Sequence, residues 1–162
     1  MNRLFKIVNE TLVNKGYQFE RKDMNRPWGG FWVIDNNHSQ QFVEEYFPNL
    51  REDDLQKEAM ISPKILAVSP NSRLSWQYHH RRSEIWQVVS GEVGVIISDS
   101  NEETTMKVYQ SGELIYINQG ERHRLVGLKK AGIVAEIWVH EDVNNPSDED
   151  DIVRLQDDFE RA

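Results

Sequence analysis

The residues best suited to chemistry are concentrated in one stretch of ten, residues 77–86, with the sequence QYHHRRSEIW. It places two histidines, two arginines and one glutamate close together along the chain. Imidazole and carboxylate groups bind metals and transfer protons, whereas guanidinium groups bind phosphate. The stretch is therefore a metal site, a phosphate-binding site or a charged surface turn, and these residues alone do not decide among the three.

The composition narrows the classes of function. The 162 residues include no cysteine, so any metal must be held by His, Asp, Glu or main-chain oxygen. The formal net charge of -8 predicts no binding to nucleic acid or to an anionic membrane. No apolar run approaches the roughly 20 residues that span a bilayer, and the first residues lack the apolar core of a secretion signal. We therefore expect a cytoplasmic protein that binds neither nucleic acid nor a membrane.

The first part of the chain predicts a helix followed by an extension. Apolar residues recur at spacings of three and four before Gly16, which predicts an N-terminal helix carrying Leu4, Phe5, Val8 and Leu12. The later segment FWVID predicts a short strand. Residues 36–62 show no strand alternation, and we expect a long excursion with one short helix after Pro48.

From Pro63 onward the pattern changes to about eight short segments rich in Val, Ile, Trp and Tyr, separated by turns. This spacing is typical of an all-β antiparallel sandwich or barrel. We therefore predict a single domain over residues 1–162. Its parts are a helix and extension over 1–62, a β-barrel core over 63–140 and an acidic C-terminal segment over 141–162.

Strand alternation divides the segment RLSWQYHHR into an aromatic and a polar face. The polar face carries Ser75, Gln77, His79 and Arg81, whereas His80 points the other way. A polar row of this kind either faces solvent or lines a cavity. Glu84 follows across a short turn, and a turn at 118–120 places His123 at the start of another strand.

These segments resemble a known family. LSWQYHHRRSEIWQVVSG, GELIYINQGERHRL, RPWGGFWVI and DIVRLQDDFER are similar to the isomerase domain of type II mannose-6-phosphate isomerases, which is a cupin. The resemblance covers residues 26–34 and 63–161 and implies a cupin double-stranded β-helix, a jelly-roll barrel with one divalent metal. The guanylyltransferase domain often fused to this family is not expected here, because the chain shows no Gly-rich nucleotide-binding loop.

The resemblance also implies where the metal ligands lie. Carried over to this chain, the four usual cupin positions are His79, Arg81, Glu84 and His123. Arginine has no lone pair to offer a metal, so the second position departs from the family pattern. The predicted ligands are therefore His79, Glu84 and His123. We expect zinc first, with manganese, iron or nickel as alternatives.

The basic residues beside these ligands indicate an anionic substrate. We expect Arg81 to face the cavity and Arg82 to pair with surface carboxylates, with Arg81, Arg124 and Lys64 binding phosphate. The predicted catalytic residues are Glu84, as a ligand or as a base, Gln77, which orients hydroxyl groups, and Arg81. Arg154 is either a further contact or a surface ion pair.

The resemblance predicts a metal-dependent aldose–ketose isomerase whose partner is a small sugar phosphate. The main alternative is a non-catalytic carbohydrate-binding or regulatory cupin, which the missing fourth ligand supports. A nucleotide-sugar epimerase or an iron dioxygenase is a third option, since two histidines and one carboxylate also suit iron. Cupins often dimerise, so a homodimer is an option that the sequence leaves open.

Overall fold

The computed structural model describes residues 2–50 and 60–161. Two α-helices lie in these residues, α1 (Arg3–Asn14) and α2 (Ser39–Tyr46), the second preceded by a 3₁₀ turn at Asn36–His38. The strands are β1 (Phe19–Arg26), β2 (Gly29–Ile34), β3 (Ile61–Val68), β4 (Trp76–Tyr78), β5 (Arg82–Ser90), β6 (Glu92–Ser98), β7 (Lys107–Gln110), β8 (Leu114–Ile117), β9 (Arg122–Gly127), β10 (Gly132–His140) and β11 (Val153–Gln156).

The strands form two antiparallel sheets, and this confirms the predicted all-β class. One sheet has the order β1-β2-β3-β10-β5-β8 and the other has the order β11-β4-β9-β6-β7. The sheets extend beyond the range 63–140 predicted for the barrel core, because β1, β2 and β11 lie outside it. Segments 1–62 and 141–162 thus contribute strands as well as the helix and acidic residues expected of them.

The helices cover the outer face of the six-stranded sheet. The predicted N-terminal helix is confirmed as α1, which buries Phe5 and Leu12 against a cluster that includes Trp32. Burying these side chains stabilises the helix, which is too short to persist alone in water. The second helix, α2, precedes Pro48. The helix predicted after Pro48 falls largely on residues 51–59, which lie outside the described residues.

The interior between the sheets is apolar at one end and polar at the other. The inward side chains of β5 show the change in order, from Arg82 and Glu84 to Trp86 and Val88. At the apolar end Val88 packs with inward residues of the neighbouring strands, among them Leu66, Val68, Val93, Val95, Leu125 and Val134. The polar end lies where β5 begins and β10 ends, and it holds the candidate site.

No helix within residues 2–50 and 60–161 has the length and apolar character needed to cross a membrane.

Candidate metal centre and cavity

Three buried side chains from separate parts of the chain meet at the polar end of the barrel. His79 follows β4, Glu84 lies in β5 and His123 lies in β9, and each is at most 3% exposed. The Nε2 atom of His79 lies 3.4 Å from Glu84 Oε1, and that of His123 lies 3.4 Å from Glu84 Oε2. The three ligand atoms all lie within 4.8 Å of one another, which suits one metal ion.

The main chain orients both imidazoles toward the centre of this cluster. His79 Nδ1 lies 2.7 Å from the Asp151 carbonyl, and His123 Nδ1 lies 3.0 Å from the Glu121 carbonyl. A carbonyl oxygen can only accept, so each Nδ1 carries the proton and each Nε2 presents a lone pair. The two Nε2 atoms are 3.3 Å apart. Two lone pairs that face each other this closely can bind one cation together, so the donor set fits a divalent metal.

A tight turn between β8 and β9 supports this arrangement. Gly120 adopts a positive φ of 79°, and its amide donates to the His79 carbonyl at 3.1 Å. The turn closes on itself because Asn118 N donates to Glu121 Oε1 at 2.7 Å and Glu121 N donates to the Asn118 carbonyl. The turn predicted at 118–120 therefore connects the segment that carries His123 to the segment that carries His79.

Burial and neighbouring charges keep His79 and Glu84 in the protonation states that a metal requires. Burial lowers the pKa of His79 to about 3, against the opposing attraction of Glu84 and with the help of Arg82 and His123. Burial alone would raise the pKa of Glu84, but the charges of Arg82 and the two histidines outweigh it and lower that pKa. Near neutral pH the imidazole of His79 is neutral and the carboxyl of Glu84 is ionised.

Arg82 is the arginine that contacts the cluster. Its side chain is 5% exposed, its Nε donates to Glu84 Oε1 at 2.9 Å and its Nη2 donates to His79 Nε2 at 3.2 Å. The guanidinium also stacks over the ring of Trp138, with its central carbon 3.5 Å from the ring centroid. The expectation that Arg82 pairs with surface carboxylates is therefore wrong.

A cavity of about 310 Å³ opens beside the cluster, and Glu84 belongs to both. Lys64 and Gln77, two of the predicted site residues, line it. The polar lining is unusually rich in cations for a chain with a net charge of -8. These cations are Arg21, Arg26, Lys64, Arg82, Arg154 and Arg161. Four carboxylates share the lining, Glu84, Glu136, Glu149 and Asp150, so the cations outnumber them by six to four and the net charge of the wall favours an anionic ligand.

The profile of one protein family, described as mannose-6-phosphate isomerase C-terminal, matches residues 35–157. The chain belongs to this family. The predicted family resemblance is thereby confirmed.

Relatives of this family member include longer bacterial enzymes. It is 30% identical over 141 residues to the mannose-1-phosphate guanylyltransferase ManC of Salmonella typhimurium, which covers 87% of this chain and 23% of ManC. It is 33% identical over 126 residues to the alginate biosynthesis protein AlgA of Pseudomonas aeruginosa, which covers 78% of this chain and 24% of AlgA. The chain spans about a quarter of the length of these curated relatives.

Solved structures show that this family member shares the fold of known cupin enzymes. A structure of oxalate oxidase superposes with a TM-score of 0.54 at 22% identity, covering 82% of this chain and 58% of that one. A mutant of Bacillus subtilis oxalate decarboxylase superposes with a TM-score of 0.56 at 12% identity, covering 87% and 31%. These similarities confirm the predicted cupin fold.

Arg81 lies outside the metal cluster of this family member, contrary to the prediction that it faces the cavity. Its Nη1 donates to Asn145 Oδ1 at 3.0 Å and to the Pro146 carbonyl at 2.8 Å, and its Nη2 donates to Asp148 Oδ1 at 3.2 Å. The prediction failed because β4 ends at Tyr78 and the alternation starts again in β5. Arg82 is in phase with Glu84 inside β5, and counting back from Glu84 identifies it.

Arg124 is also absent from the cavity lining, contrary to prediction. It neighbours His123 within β9, so its side chain leaves the opposite face of the strand. There it is buried, with Nε donating to the Leu74 carbonyl at 2.8 Å and Nη1 donating to Glu103 Oε1 at 2.9 Å. Its contacts join β9 to neighbouring segments and occupy Nε, Nη1 and Nη2 of Arg124 away from the cavity.

Glu136 is a cavity residue that sequence reasoning missed. It lies in β10, is 4% exposed and accepts a hydrogen bond from Trp138 Nε1 at 2.6 Å. Burial, reinforced by the charge of Glu84, raises its pKa to about 7 against the opposing effect of Lys64 and Arg82. The available signal was a single carboxylate within the otherwise apolar strand IVAEIWV, since an unpaired buried charge is costly.

Proposed function

We propose that this domain is a metal-dependent sugar-phosphate isomerase, with mannose 6-phosphate and fructose 6-phosphate as the first pair of substrates to test. The observation that carries the proposal is the position of Glu84. One side chain belongs both to the cluster that can hold a metal and to the wall of a cation-rich cavity. A ligand bound there meets a Lewis acid site and a phosphate-binding field together.

His79, Glu84 and His123 would hold the ion, with zinc expected first and manganese, iron or nickel as alternatives. A divalent metal at these ligands would polarise the carbonyl and hydroxyl oxygens of a bound sugar. With Nδ1 of each histidine held by a main-chain carbonyl, the ligands are already oriented before binding. In this proposal Glu84 is a ligand, and proton transfer falls to another group.

Lys64 is the cation best placed for the phosphate. Its side chain is 13% exposed and lies over the rings of Phe31 and Trp138, which hold the stem against the cavity wall. Its ammonium lies 3.8 Å from Glu149 Oε1, a distance that leaves the pair loosely made. Arg154 also lines the cavity, as the family-like segment DIVR suggests. Gln77 lines the cavity, its amide oxygen accepts from Ser75 Oγ, and in this proposal its amide NH2 group orients a sugar hydroxyl.

One contact favours the second candidate, a carbohydrate-binding or regulatory cupin without a metal. Arg82 donates to His79 Nε2, and this uses the lone pair that a metal ion needs. A guanidinium that already neutralises Glu84 can also stabilise the cluster in the absence of any ion. The isomerase candidate therefore requires bound metal and turnover of a sugar phosphate, whereas the second candidate requires neither.

The experiment that tests the proposal combines both measurements on one set of proteins. Wild-type protein, His79→Gln and His80→Gln are purified, loaded with zinc, manganese or iron, and analysed for bound metal. Each is then assayed for fructose 6-phosphate formation by a coupled reaction and by NMR. His80 is the matched control because it is exposed and its ring contacts Tyr78 instead of the cluster.

We expect metal binding and turnover in wild type and in His80→Gln, with loss of both in His79→Gln. Stoichiometric metal without turnover of any hexose or heptose phosphate would contradict the isomerase proposal. Sugar-phosphate binding with neither metal nor turnover would favour the second candidate. A cytoplasmic location and assembly into a homodimer stay predictions, which cell fractionation and light scattering test.

A further inference from the structure

Glu136 is a buried carboxylate on the cavity wall that the metal cluster does not use. It lies in β10, between β3 and β5, where its Cα is in register with Lys64 on one side and Trp86 on the other. Within the described residues, its carboxylate accepts a hydrogen bond from Trp138 Nε1. A single donor of this kind leaves most of the acceptor capacity of a carboxylate unused.

The position of this side chain matters because inward residues of β10 and β5 face the same cavity. Glu84 and Glu136 both line it, and Lys64 and Arg82 lie on the strands to either side. A ligand held in this cavity therefore has both carboxylates in the surrounding wall. The site thus presents one carboxylate that belongs to the metal cluster and a second that is free of it.

We propose that Glu136 is the catalytic residue that carries the proton between the two adjacent carbons of the sugar. This inference rests on the proposed isomerase function and assigns the proton-transfer role within it. Buried structural carboxylates are normally matched by several donors or by a close cation. Glu136 has neither, since its one donor is an indole and no ion pair is formed with Lys64 or Arg82 within the described residues.

The step balances on the substrate and Glu136 alone. The ionised carboxylate takes the proton from C2 of the open-chain aldose, and the electron pair of that bond forms the C1–C2 double bond. The carbonyl pair of C1 moves to its oxygen, which gives an enediolate. The hydroxyl proton on the C2 oxygen passes to the C1 oxygen, the carbonyl forms at C2, and the Glu136 carboxyl returns its proton to C1.

The raised pKa of Glu136 supports this role, because a group that titrates near neutral pH can both accept and return a proton. The charged groups that face it are Lys64 from β3 and Arg82 and Glu84 from β5. Lys64 and Arg82 lower that pKa and Glu84 raises it. Burial is the largest cause of the raised pKa of Glu136, and these charges modify it in opposite directions.

Glu136→Gln tests the inference without removing the acceptor for Trp138 Nε1, because the amide oxygen of glutamine can take the same bond. The metal-loaded wild type is compared with Glu136→Gln, Glu136→Asp and the exposed control Glu102→Gln. For each, kcat, KM, bound metal and the loss of deuterium from C2-deuterated mannose 6-phosphate to water are measured.

We expect Glu136→Gln to lower kcat at least about 100-fold, with KM within about threefold and metal content unchanged. Deuterium loss from C2 should fall in parallel, and Glu136→Asp should recover part of the rate. If wild type turns over and the kcat of Glu136→Gln stays within about tenfold of the wild-type kcat, this inference is overturned and the isomerase proposal stands. Absence of turnover in metal-loaded wild type overturns both.

Discussion

His79 donates from Nδ1 to the main-chain carbonyl of Asp151, so a candidate metal ligand is oriented by a residue 72 positions further along the chain. The Asp151 carboxylate strengthens the same junction. It accepts from the amides of His80 and Arg81, both at 2.9 Å, and from Ser147 Oγ at 2.6 Å. The acidic C-terminal segment is therefore part of the support of the site.

Asp151→Asn should weaken metal binding although Asp151 is not a ligand. An amide cannot accept two main-chain donors and a hydroxyl as well as a carboxylate does, so His79 loses its fixed orientation. We expect the metal dissociation constant to rise about tenfold or more, with a loss of about 1–3 kcal/mol in the free energy of unfolding. Calorimetric metal titration and denaturant unfolding measure the two effects. The exposed control Asp99→Asn should keep the wild-type metal affinity. If Asp151→Asn also keeps it, the acidic C-terminal segment is not needed for metal binding.

Arg82→Met should make folding depend on metal. It leaves the Glu84 carboxylate, which is 3% exposed, without its closest cation. Breaking a buried pair in this way costs about 3–5 kcal/mol. We expect thermal unfolding in the presence of a chelator to shift to lower temperature, and added zinc to restore much of the loss because the ion replaces the missing charge.

The matched control for this prediction is Arg73→Met, which removes an exposed ion pair with Asp158 and should cost less than about 1 kcal/mol. If Arg82→Met unfolds at the wild-type temperature in chelator, Arg82 does not stabilise Glu84. If zinc stabilises the variant but does not bind to wild type, Arg82 has taken the place of the ion and the metal-free candidate is favoured.

Glu136→Gln should stabilise the metal-free protein in a pH-dependent way. The pKa of Glu136 is raised from 4.5 to about 7, so its ionisation opposes folding, and the cost appears as the pH rises between these values. At about pH 8 the variant should gain up to roughly 3 kcal/mol over wild type, and below about pH 4 it should gain nothing. Chemical denaturation at both pH values measures the difference. If the variant is less stable than wild type at the higher pH, the ionised carboxylate of Glu136 does not destabilise the fold.

Lys64→Met and Arg124→Met should separate a phosphate-binding role from a structural one. We expect Lys64→Met to raise KM for the sugar phosphate about tenfold or more while kcat changes little. Arg124→Met should leave KM unchanged and lower the free energy of unfolding by about 2–4 kcal/mol, because its donors serve the Leu74 carbonyl and Glu103. Steady-state kinetics and denaturant unfolding on both variants distinguish them. A raised KM in Arg124→Met with normal stability would return Arg124 to the substrate site.

Local pattern accounts for most of what could be predicted. The N-terminal helix follows from its apolar spacing, and the all-β class follows from short alternating segments separated by turns. The cluster of His79, Glu84 and His123 could be proposed from motif resemblance, and the structure brings the three side chains together from the two sheets. The helix and the strands depend on residues that are near one another in sequence, whereas the cluster joins two motifs 44 residues apart and was reached through the family resemblance.

The choice between Arg81 and Arg82 lay beyond such local rules. Alternation holds only while the backbone stays extended, and the bend at 79–81 between β4 and β5 resets it. The same limit applied to Arg124, which lies beside a ligand in sequence and on the opposite face of β9.

The sequence by itself determined the fold class, the family and three side chains that could hold a metal. Only the tertiary structure decided which cations line the cavity, that Asp151 supports His79 and that Glu136 is buried beside Glu84. The physical reason is that exposure and field strength depend on contacts between distant segments. A carboxylate on β10 becomes a proton carrier or a cost to stability only when β3 and β5 close around it.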